Sequence, residues 1–99
     1  MEVRIQAIHF DASSQLESFI TKKVSKLDHI YDGIVEADVV LRVVKPESAL
    51  NKEASIKLLV KNDELFAEKV CDTFEEAIDL VVDALAKQLG KYKEKMRNA

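Results

Sequence analysis

The chain has 99 residues, of which 47% are hydrophobic and 33% charged, and its formal net charge is −3 at pH 7. This length predicts a single domain over residues 1–99, and a content of two Gly and one Pro excludes a disordered or loop-rich chain. A single cysteine excludes an internal disulfide and a CxxC metal pair.

The first predicted elements are a short strand and a long helix. Residues 3–9 alternate apolar and polar side chains, as a half-buried strand does. Ser14 and Glu17 have the spacing of a capping box, in which each side chain accepts a hydrogen bond from the other residue's free backbone N–H. Helical spacing of apolar residues then continues, which predicts a helix over residues 14–30, ended by Asp32-Gly33.

Three further strands are predicted before the last helix. Residues 35–44 and 52–60 alternate clearly, and residues 64–71 do so more weakly. The segment 45–51 holds the only proline, which lacks a backbone donor, so it predicts a connection. Asn62-Asp63 is a turn signal between the last two strands.

The last predicted element is a long amphipathic helix. Asp72 and Glu75 offer an N-terminal cap, and Gly90 interrupts the helix at a cost of about 1 kcal/mol relative to Ala. The apolar stripe continues beyond that glycine, which predicts one helix over residues 73–95. The stripe consists of Phe74, Ala77, Ile78, Val81, Val82, Leu85, Leu89, Tyr92 and Met96.

The element order is therefore β-α-β-β-β-α. The first helix connects two strands that should be parallel, and the next three strands form a meander. Each helix has one apolar face, and the sheet has one apolar face to cover. These patterns predict a two-layer α/β sandwich, with a four-stranded mixed sheet and two helices packed on one side of it.

Charge is distributed unevenly along the chain. Residues 62–86 hold eight acids and one Lys, a balance of −7, whereas residues 87–99 hold five cations and one acid, a balance of +4. The helix dipole attracts cations near a helix C-terminus, by about 0.3–1 kcal/mol each, but acts only within the last turn. The basic stretch is longer than one turn and places Lys87, Lys91 and Lys95 in a row, where like charges repel.

Two interpretations of the basic stretch are open from charge alone. It is either a solubilising helix end or a surface for a polyanion, since ammonium groups replace the counterions of phosphates. In the second case Lys22, Lys23 and Lys26 join the lysines of the last helix on one positive face. Tyr92 lies both amid the lysines and in the apolar stripe, so base stacking and core packing are both open.

The segment DTFEEAIDLVVDALAKQLGKYKEK (72–95) resembles the second helix of the ribosome hibernation promoting factors and the related ribosome-associated translation inhibitor. Residues 19–34 are similar to that family's first helix and turn, and residues 37–45 are similar to its second strand. The matching positions of the last helix are Phe74, Ala77-Ile78-Asp79, Asp83, Leu85, Lys87-Gln88-Leu89 and Lys91-Tyr92-Lys93-Glu94-Lys95.

The resemblance implies a cytosolic, non-enzymatic factor without cofactor that acts in stress or stationary phase. Its partner would be the small ribosomal subunit, through 16S rRNA and ribosomal proteins. Members lie in the channel for messenger and transfer RNA, contact rRNA with basic helix faces and silence translation, and this length resembles the short form. The RNA-binding residues so implied are Lys22, Lys23, Lys26, Lys87, Lys91, Lys93 and Lys95.

Two positions depart from the family pattern. Ala84 and Gly90 stand where the family has basic residues, so two phosphate contacts are expected to be weaker or absent. Arg42 projects from the outer face of the predicted sheet, and we interpret it as a solvated charge.

Catalytic candidates are few. His9 lies two residues before Asp11, and Asp28 precedes His29, pairs that suit acid–base chemistry or a metal. Adjacent helical residues diverge, however, and the chain has no phosphate-cradling glycine loop or nucleophile motif. Cys71 is interpreted as a small buried apolar group. We therefore predict no enzyme and no metal site.

The same sequence predicts a cytoplasmic protein without a membrane or small-molecule partner. No apolar run approaches the ~18 residues of a membrane span, and the first residues lack the apolar core of a secretory signal. The competing interpretation is a small α/β sandwich for protein interaction or regulation that does not bind RNA. That alternative predicts binding that is insensitive to salt and nuclease, whereas RNA binding weakens as salt rises.

Overall fold

The computed structural model describes residues 1–44 and 50–97, which form the predicted order β-α-β-β-β-α. The strands are β1 (Glu2–Ile8), β2 (Ile34–Val43), β3 (Lys52–Val60) and β4 (Asp63–Cys71). The helices are α1 (Ser14–Ser25), followed by a 3₁₀ turn (Lys26–His29), and α2 (Phe74–Arg97). The predicted connection at 45–51 falls mainly on residues 45–49, which lie outside the described residues.

The four strands form one mixed sheet in the order β1-β2-β3-β4. β1 pairs parallel to β2, with Glu2 opposite Glu36 and Ile8 opposite Arg42, because α1 carries the chain back to the end where β1 begins. The pairs β2–β3 and β3–β4 are antiparallel. The predicted two-layer α/β sandwich is confirmed.

Both helices cover the same face of the sheet. Alternate strand residues point to that face, and the apolar stripes of α1 and α2 complete the core. A bulge between Ile34 and Glu36 allows Ile34 and Ala37, three residues apart, both to be buried. The largest fully buried side chains are Ile20, Val24, Leu27, Val39, Leu41, Ile56, Leu58, Val60, Ile78, Val81, Leu85 and Leu89.

The two ends of α1 differ from the prediction. Ser13 rather than Ser14 is the N-cap, because the Ser13 Oγ accepts a hydrogen bond from the backbone N–H of Leu16 at 3.1 Å. The regular α-helix ends at Ser25 and gives way to the 3₁₀ turn instead of continuing to Ile30. The C-terminal part of the predicted helix is therefore wound more tightly.

The cap of α2 also differs from the prediction by one residue. Thr73 rather than Asp72 caps the helix, since its Oγ1 accepts a hydrogen bond from the backbone N–H of Glu76 at 3.1 Å. The Asp72 carboxylate accepts instead from the backbone N–H of Leu50 at 3.0 Å. This contact ties the residues before β3 to the start of α2.

Two aromatic pairs join the helix ends. Phe10, shortly before α1, stacks on Phe74 at the start of α2, with ring centroids 5.1 Å apart and an interplanar angle of 7°. At the opposite end, Tyr31 meets Tyr92 edge-on at 5.4 Å and 80°. Each such pair contributes about 0.5–1.5 kcal/mol beyond its buried area. The helices thus run parallel, with both C-terminal ends at one end of the molecule.

Cys71 ends β4 and is buried in the core, which confirms its interpretation as a small buried group. Burial raises the pKa of the Cys71 thiol, and the nearby carboxylates of Glu76 and Asp72 raise this pKa further. The thiolate, which is the nucleophilic form, is therefore scarce at neutral pH.

We expect Gly90→Ala to raise the free energy of unfolding by about 0.5–1 kcal/mol. Gly90 lies within α2 without a positive φ, and an added methyl group would meet no atom within 4 Å. Equilibrium unfolding in urea measures the change. In the matched variant Gly33→Ala, the methyl group would come within 2.6 Å of the Tyr31 ring and displace it from Tyr92, so we expect a loss of about 0.5–1.5 kcal/mol. Equal losses in both variants would contradict the open space at Gly90.

We expect Cys71 to react with a thiol-specific disulfide reagent at least about tenfold more slowly in the native protein than in denaturing guanidinium chloride. The reason is its burial together with the raised pKa of its thiol. Absorbance of the released reagent at mildly alkaline pH measures both rates. Equal rates would show that the end of β4 is open to solvent.

Candidate nucleic-acid interface

The lysines predicted to bind RNA lie towards the C-terminal ends of the two parallel helices. Lys22 and Lys23 lie in the last turn of α1, and Lys26 begins the 3₁₀ turn. The other four belong to the last part of α2. Lys93 reaches across to the first helix, because its Nζ donates a hydrogen bond to the backbone oxygen of Ile30 at 3.3 Å. The basic end of α2 is therefore anchored beside the residue that follows the 3₁₀ turn.

Lys23 connects the two helices and differs from the other candidates. Its Nζ lies 3.0 Å from Asp79 Oδ1 on α2 and 5.6 Å from the centroid of the Phe19 ring. Its side chain is 30% exposed, and its charge is compensated by the Asp79 carboxylate. Lys23 therefore bridges α1 and α2 through a partly exposed ion pair, which contributes at most about 1 kcal/mol, and has little free charge to offer a phosphate.

Lys87, Lys91 and Lys95 form the predicted exposed row on α2. The flank on which this row lies follows from Gln88, whose Nε2 donates to the backbone oxygen of Phe66 on β4 at 2.9 Å. Helical periodicity places Lys91 and Lys95, three and seven residues later, on the same flank as Gln88. This flank faces away from α1, whereas Lys93 lies on the flank that contacts α1.

The lysines of α2 thus lie on two flanks of its basic end. Lys93 lies on the flank next to Ile30, and the exposed row lies on the β4 side. Lys22 instead lines a groove with Val3 and Ile5 of β1, so it does not join the lysines of α2 on one face. Among the described residues, Lys22, Lys26, Lys87, Lys91, Lys93 and Lys95 have no carboxylate oxygen within 4.0 Å. These six are exposed, so their ammonium groups can meet an external anion, although that of Lys93 already donates one hydrogen bond to Ile30.

Tyr92 packs in the core and is not available to stack on a base. Its side chain is 9% exposed, and its hydroxyl donates to the backbone oxygen of Lys61 at 2.9 Å. Burial raises the pKa of the Tyr92 phenol, with further contributions from Tyr31 and Asp63. The hydrogen bond fixes the β3–β4 turn beside the last turns of α2.

Two residues near this end were not singled out by the sequence analysis. Tyr31 is half-buried beside Tyr92, and its ring lies where a side chain at position 33 would stand, which accounts for Gly33. Lys61 is an exposed cation in the turn that the Tyr92 hydroxyl contacts. A groove of about 520 Å³ lies nearby, lined by Tyr31 and Lys93 among others. The signal for Lys61 was its position next to the Asn62-Asp63 turn.

The earlier candidates for acid–base or metal chemistry are not assembled into a site. His9 is exposed, with a φ of 64° after β1, and Asp28 Oδ2 lies 4.0 Å from the N-terminal amine. Within residues 1–44 and 50–97, no three His, Cys, Asp or Glu side chains are grouped so that they could hold a metal. No helix in this part of the chain has the length and apolarity to span a membrane.

Comparison with solved structures shows the same fold in two other proteins. The N-terminal domain of Thermus thermophilus Protein Y superimposes with a TM-score of 0.81 at 22% sequence identity, covering 93% of this chain and 99% of that one. A ribosomal subunit interface protein from Coxiella burnetii gives a TM-score of 0.85, also at 22% identity, with 95% and 99% covered.

Sequence comparison extends the likeness beyond the fold. A ribosome hibernation promoting factor from Klebsiella oxytoca is 31% identical over 97 residues, which cover 98% of both chains. One from Azotobacter vinelandii is 32% identical over 95 residues, covering 96% of this chain and 85% of that protein. The sequence profile of the family described as sigma 54 modulation protein / S30EA ribosomal protein matches residues 3–97. The chain therefore belongs to this family, and the family resemblance seen in its sequence is confirmed.

Proposed function

We propose that this protein is a ribosome-binding factor that occupies the messenger and transfer RNA channel of the small subunit and silences translation in stress or stationary phase. The factor binds 16S rRNA and ribosomal proteins in the cytoplasm, and it catalyses no reaction. Support comes from its relatives, which are named ribosome hibernation promoting factors and match almost the whole chain.

The observation that carries the proposal is the set of free ammonium groups around the C-terminal end of α2. Only Lys23, among the seven lysines implied by the resemblance, has a carboxylate partner within the described residues. Each of the others can neutralise a phosphate and release the counterion condensed on it, which is the main source of affinity for RNA.

The arrangement of these lysines suits a channel with RNA on more than one side. Lys91 and Lys95 face the β4 flank of α2, while Lys93 faces the flank next to α1. The molecule is elongated, with extents of 48 × 23 × 18 Å. A narrow body whose basic end carries cations on two flanks can contact phosphates on opposite walls at once.

We expect Lys87→Glu combined with Lys91→Glu to weaken binding to purified small ribosomal subunits by about tenfold or more. Both side chains are exposed, and both would then repel the phosphates that they now attract. Co-sedimentation through a sucrose cushion at moderate salt measures the bound fraction, and the thermal melt should stay nearly unchanged.

The matched control is Lys57→Glu combined with Lys69→Glu. These two lysines are exposed on the sheet and change the net charge by the same amount. We expect this variant to co-sediment like the unmodified protein. An equal loss of subunit binding in both variants would show that only the change in net charge matters. Unchanged binding of Lys87→Glu/Lys91→Glu to the subunit would contradict the proposed surface.

We expect the salt dependence of binding to report the number of phosphate contacts. Each lysine that neutralises a phosphate contributes about 0.7–0.9 to the slope of log affinity against log salt concentration. Lys87→Ala with Lys91→Ala should therefore reduce that slope by roughly 1.4–1.8, whereas Lys57→Ala with Lys69→Ala should leave it unchanged. Fluorescence anisotropy of labelled protein against small subunits at several salt concentrations measures both slopes.

A further inference from the structure

The face of the sheet opposite the helices is uncovered. This open face consists of the outward-pointing residues of β1 to β4, where Arg4, Asp38, Lys57 and Phe66 lie in one row across the four strands. A groove of about 540 Å³ runs over this row. Its walls are side chains of all four strands, so the groove belongs to the sheet itself.

The β4 side of the open face has an alternating pattern. Glu64, Phe66, Glu68 and Val70 point outward in succession along this strand. Phe66 is 53% exposed and Val70 is 43% exposed, although both are large apolar residues. The Phe66 ring lines the groove and has a carboxylate on either side of it along β4, so it presents an apolar surface to any chain segment that lies in the groove.

The charge of the open face is negative. It carries six acids and three bases, a balance of −3. The acids are Glu2, Glu36, Asp38, Glu53, Glu64 and Glu68, and the bases are Arg4, Arg42 and Lys57.

One of the three bases on this face is neutralised, whereas Arg42 and Lys57 have no carboxylate oxygen within 4.0 Å among the described residues. The Arg4 guanidinium is held by Glu36 at 2.7 Å and by Glu2 at 3.5 Å. Glu64 and Glu68 have no cationic nitrogen within 4.0 Å in the described part of the chain. Their free carboxylates repel phosphate, so RNA is not the occupant that this face suits.

The free edge of β4 is less suited to strand addition than the face is. The backbone oxygen of Phe66 would be an acceptor for a strand added to this edge, but it already accepts a hydrogen bond from Gln88 Nε2 at 2.9 Å. An occupant of this region therefore lies across the sheet, where it meets side chains, and does not extend the sheet at β4.

We propose that the open face binds an extended, lysine- and arginine-rich protein segment that carries an apolar side chain. The cations pair with Glu64 and Glu68, which lie two residues before and two residues after Phe66 on the outward face of β4. The apolar side chain and a guanidinium pack on the Phe66 ring, whose face attracts cations. This surface is separate from the lysines of α1 and α2 and goes beyond the proposed function, giving the protein one face for RNA and another for basic protein.

The test uses the labelled peptide GKLRARLKG as the probe, with GELEAELEG and an oligouridine as controls. Titration of isotope-labelled protein by NMR should shift the amide signals of Ser55, Lys57, Phe66 and Glu68 with the basic peptide alone. Shifts confined to the acidic first half of α2 would overturn the proposal, as would shifts of the open face by oligouridine.

Charge variants sharpen the result. Glu64→Lys with Glu68→Lys should weaken peptide binding by about tenfold or more, since two attractions become repulsions. Asp83→Lys with Glu94→Lys, at exposed positions of α2, makes the same change in net charge and should weaken it far less. Equal weakening in both would overturn the proposal in favour of non-specific attraction.

Phe66→Thr tests the aromatic contact. The side chain is exposed and threonine suits a strand, so we expect the fold to persist and peptide affinity to fall several-fold. Unchanged affinity in a folded Phe66→Thr variant would overturn the placement of the peptide on this ring. Loss of ribosome binding in Lys87→Glu/Lys91→Glu with intact peptide binding would show that the two surfaces act separately, so either proposal can fail without the other.

Discussion

The architecture depends on one constraint: a sheet with a single apolar face must be covered by two helices that run in the same direction. The parallel pairing of β1 with β2 makes α1 return along the sheet, and the β2–β3–β4 meander makes α2 return in the same sense. Both helix C-termini therefore lie at one end, joined by the Tyr31–Tyr92 contact. Each C-terminus carries about half a negative charge from its dipole, which partly offsets the repulsion among the lysines gathered there.

The spacing of apolar residues was sufficient to predict the fold, because a strand or helix that is buried on one face needs apolar side chains at that spacing. The strand phases, the apolar stripe of α2 from Phe74 to Tyr92 and the parallel start of the sheet were confirmed. The prediction that the stripe extends to Met96 was wrong, since that side chain is 51% exposed beyond the end of the core. The predicted helix caps were wrong by one position, because Ser13 and Thr73, next to the predicted cap residues, can also accept the capping hydrogen bond. Asp72 is a good cap by composition, but it is engaged by the backbone of Leu50, a contact between residues 22 positions apart.

The sequence was sufficient to predict that the candidate lysines are exposed, but not which of them has a carboxylate partner. Lysines opposite an apolar stripe must face solvent, and six of the seven have no carboxylate partner among the described residues. Which flank of α2 faces α1 depends on the packing of the whole helix pair. The ion pair between Lys23 and Asp79 could therefore not be predicted from the sequence. Tyr92 illustrates the same limit, because only the position of Lys61 shows that its hydroxyl is satisfied within the protein.

The separation of charge explains how a protein of net charge −3 can offer a surface for phosphates. At physiological ionic strength the Debye length is about 8 Å, and exposed charges farther apart than this are largely screened from one another. The smallest extent of the molecule is 18 Å. An anion at the exposed lysines of α2 is therefore influenced mainly by the charges within about one turn of it, Asp83 and Glu94 included, and only weakly by the acids of the open face. Net charge averages over surfaces that ligands approach separately, so the local arrangement of Lys87, Lys91 and Lys95 sets the potential at the surface proposed for RNA.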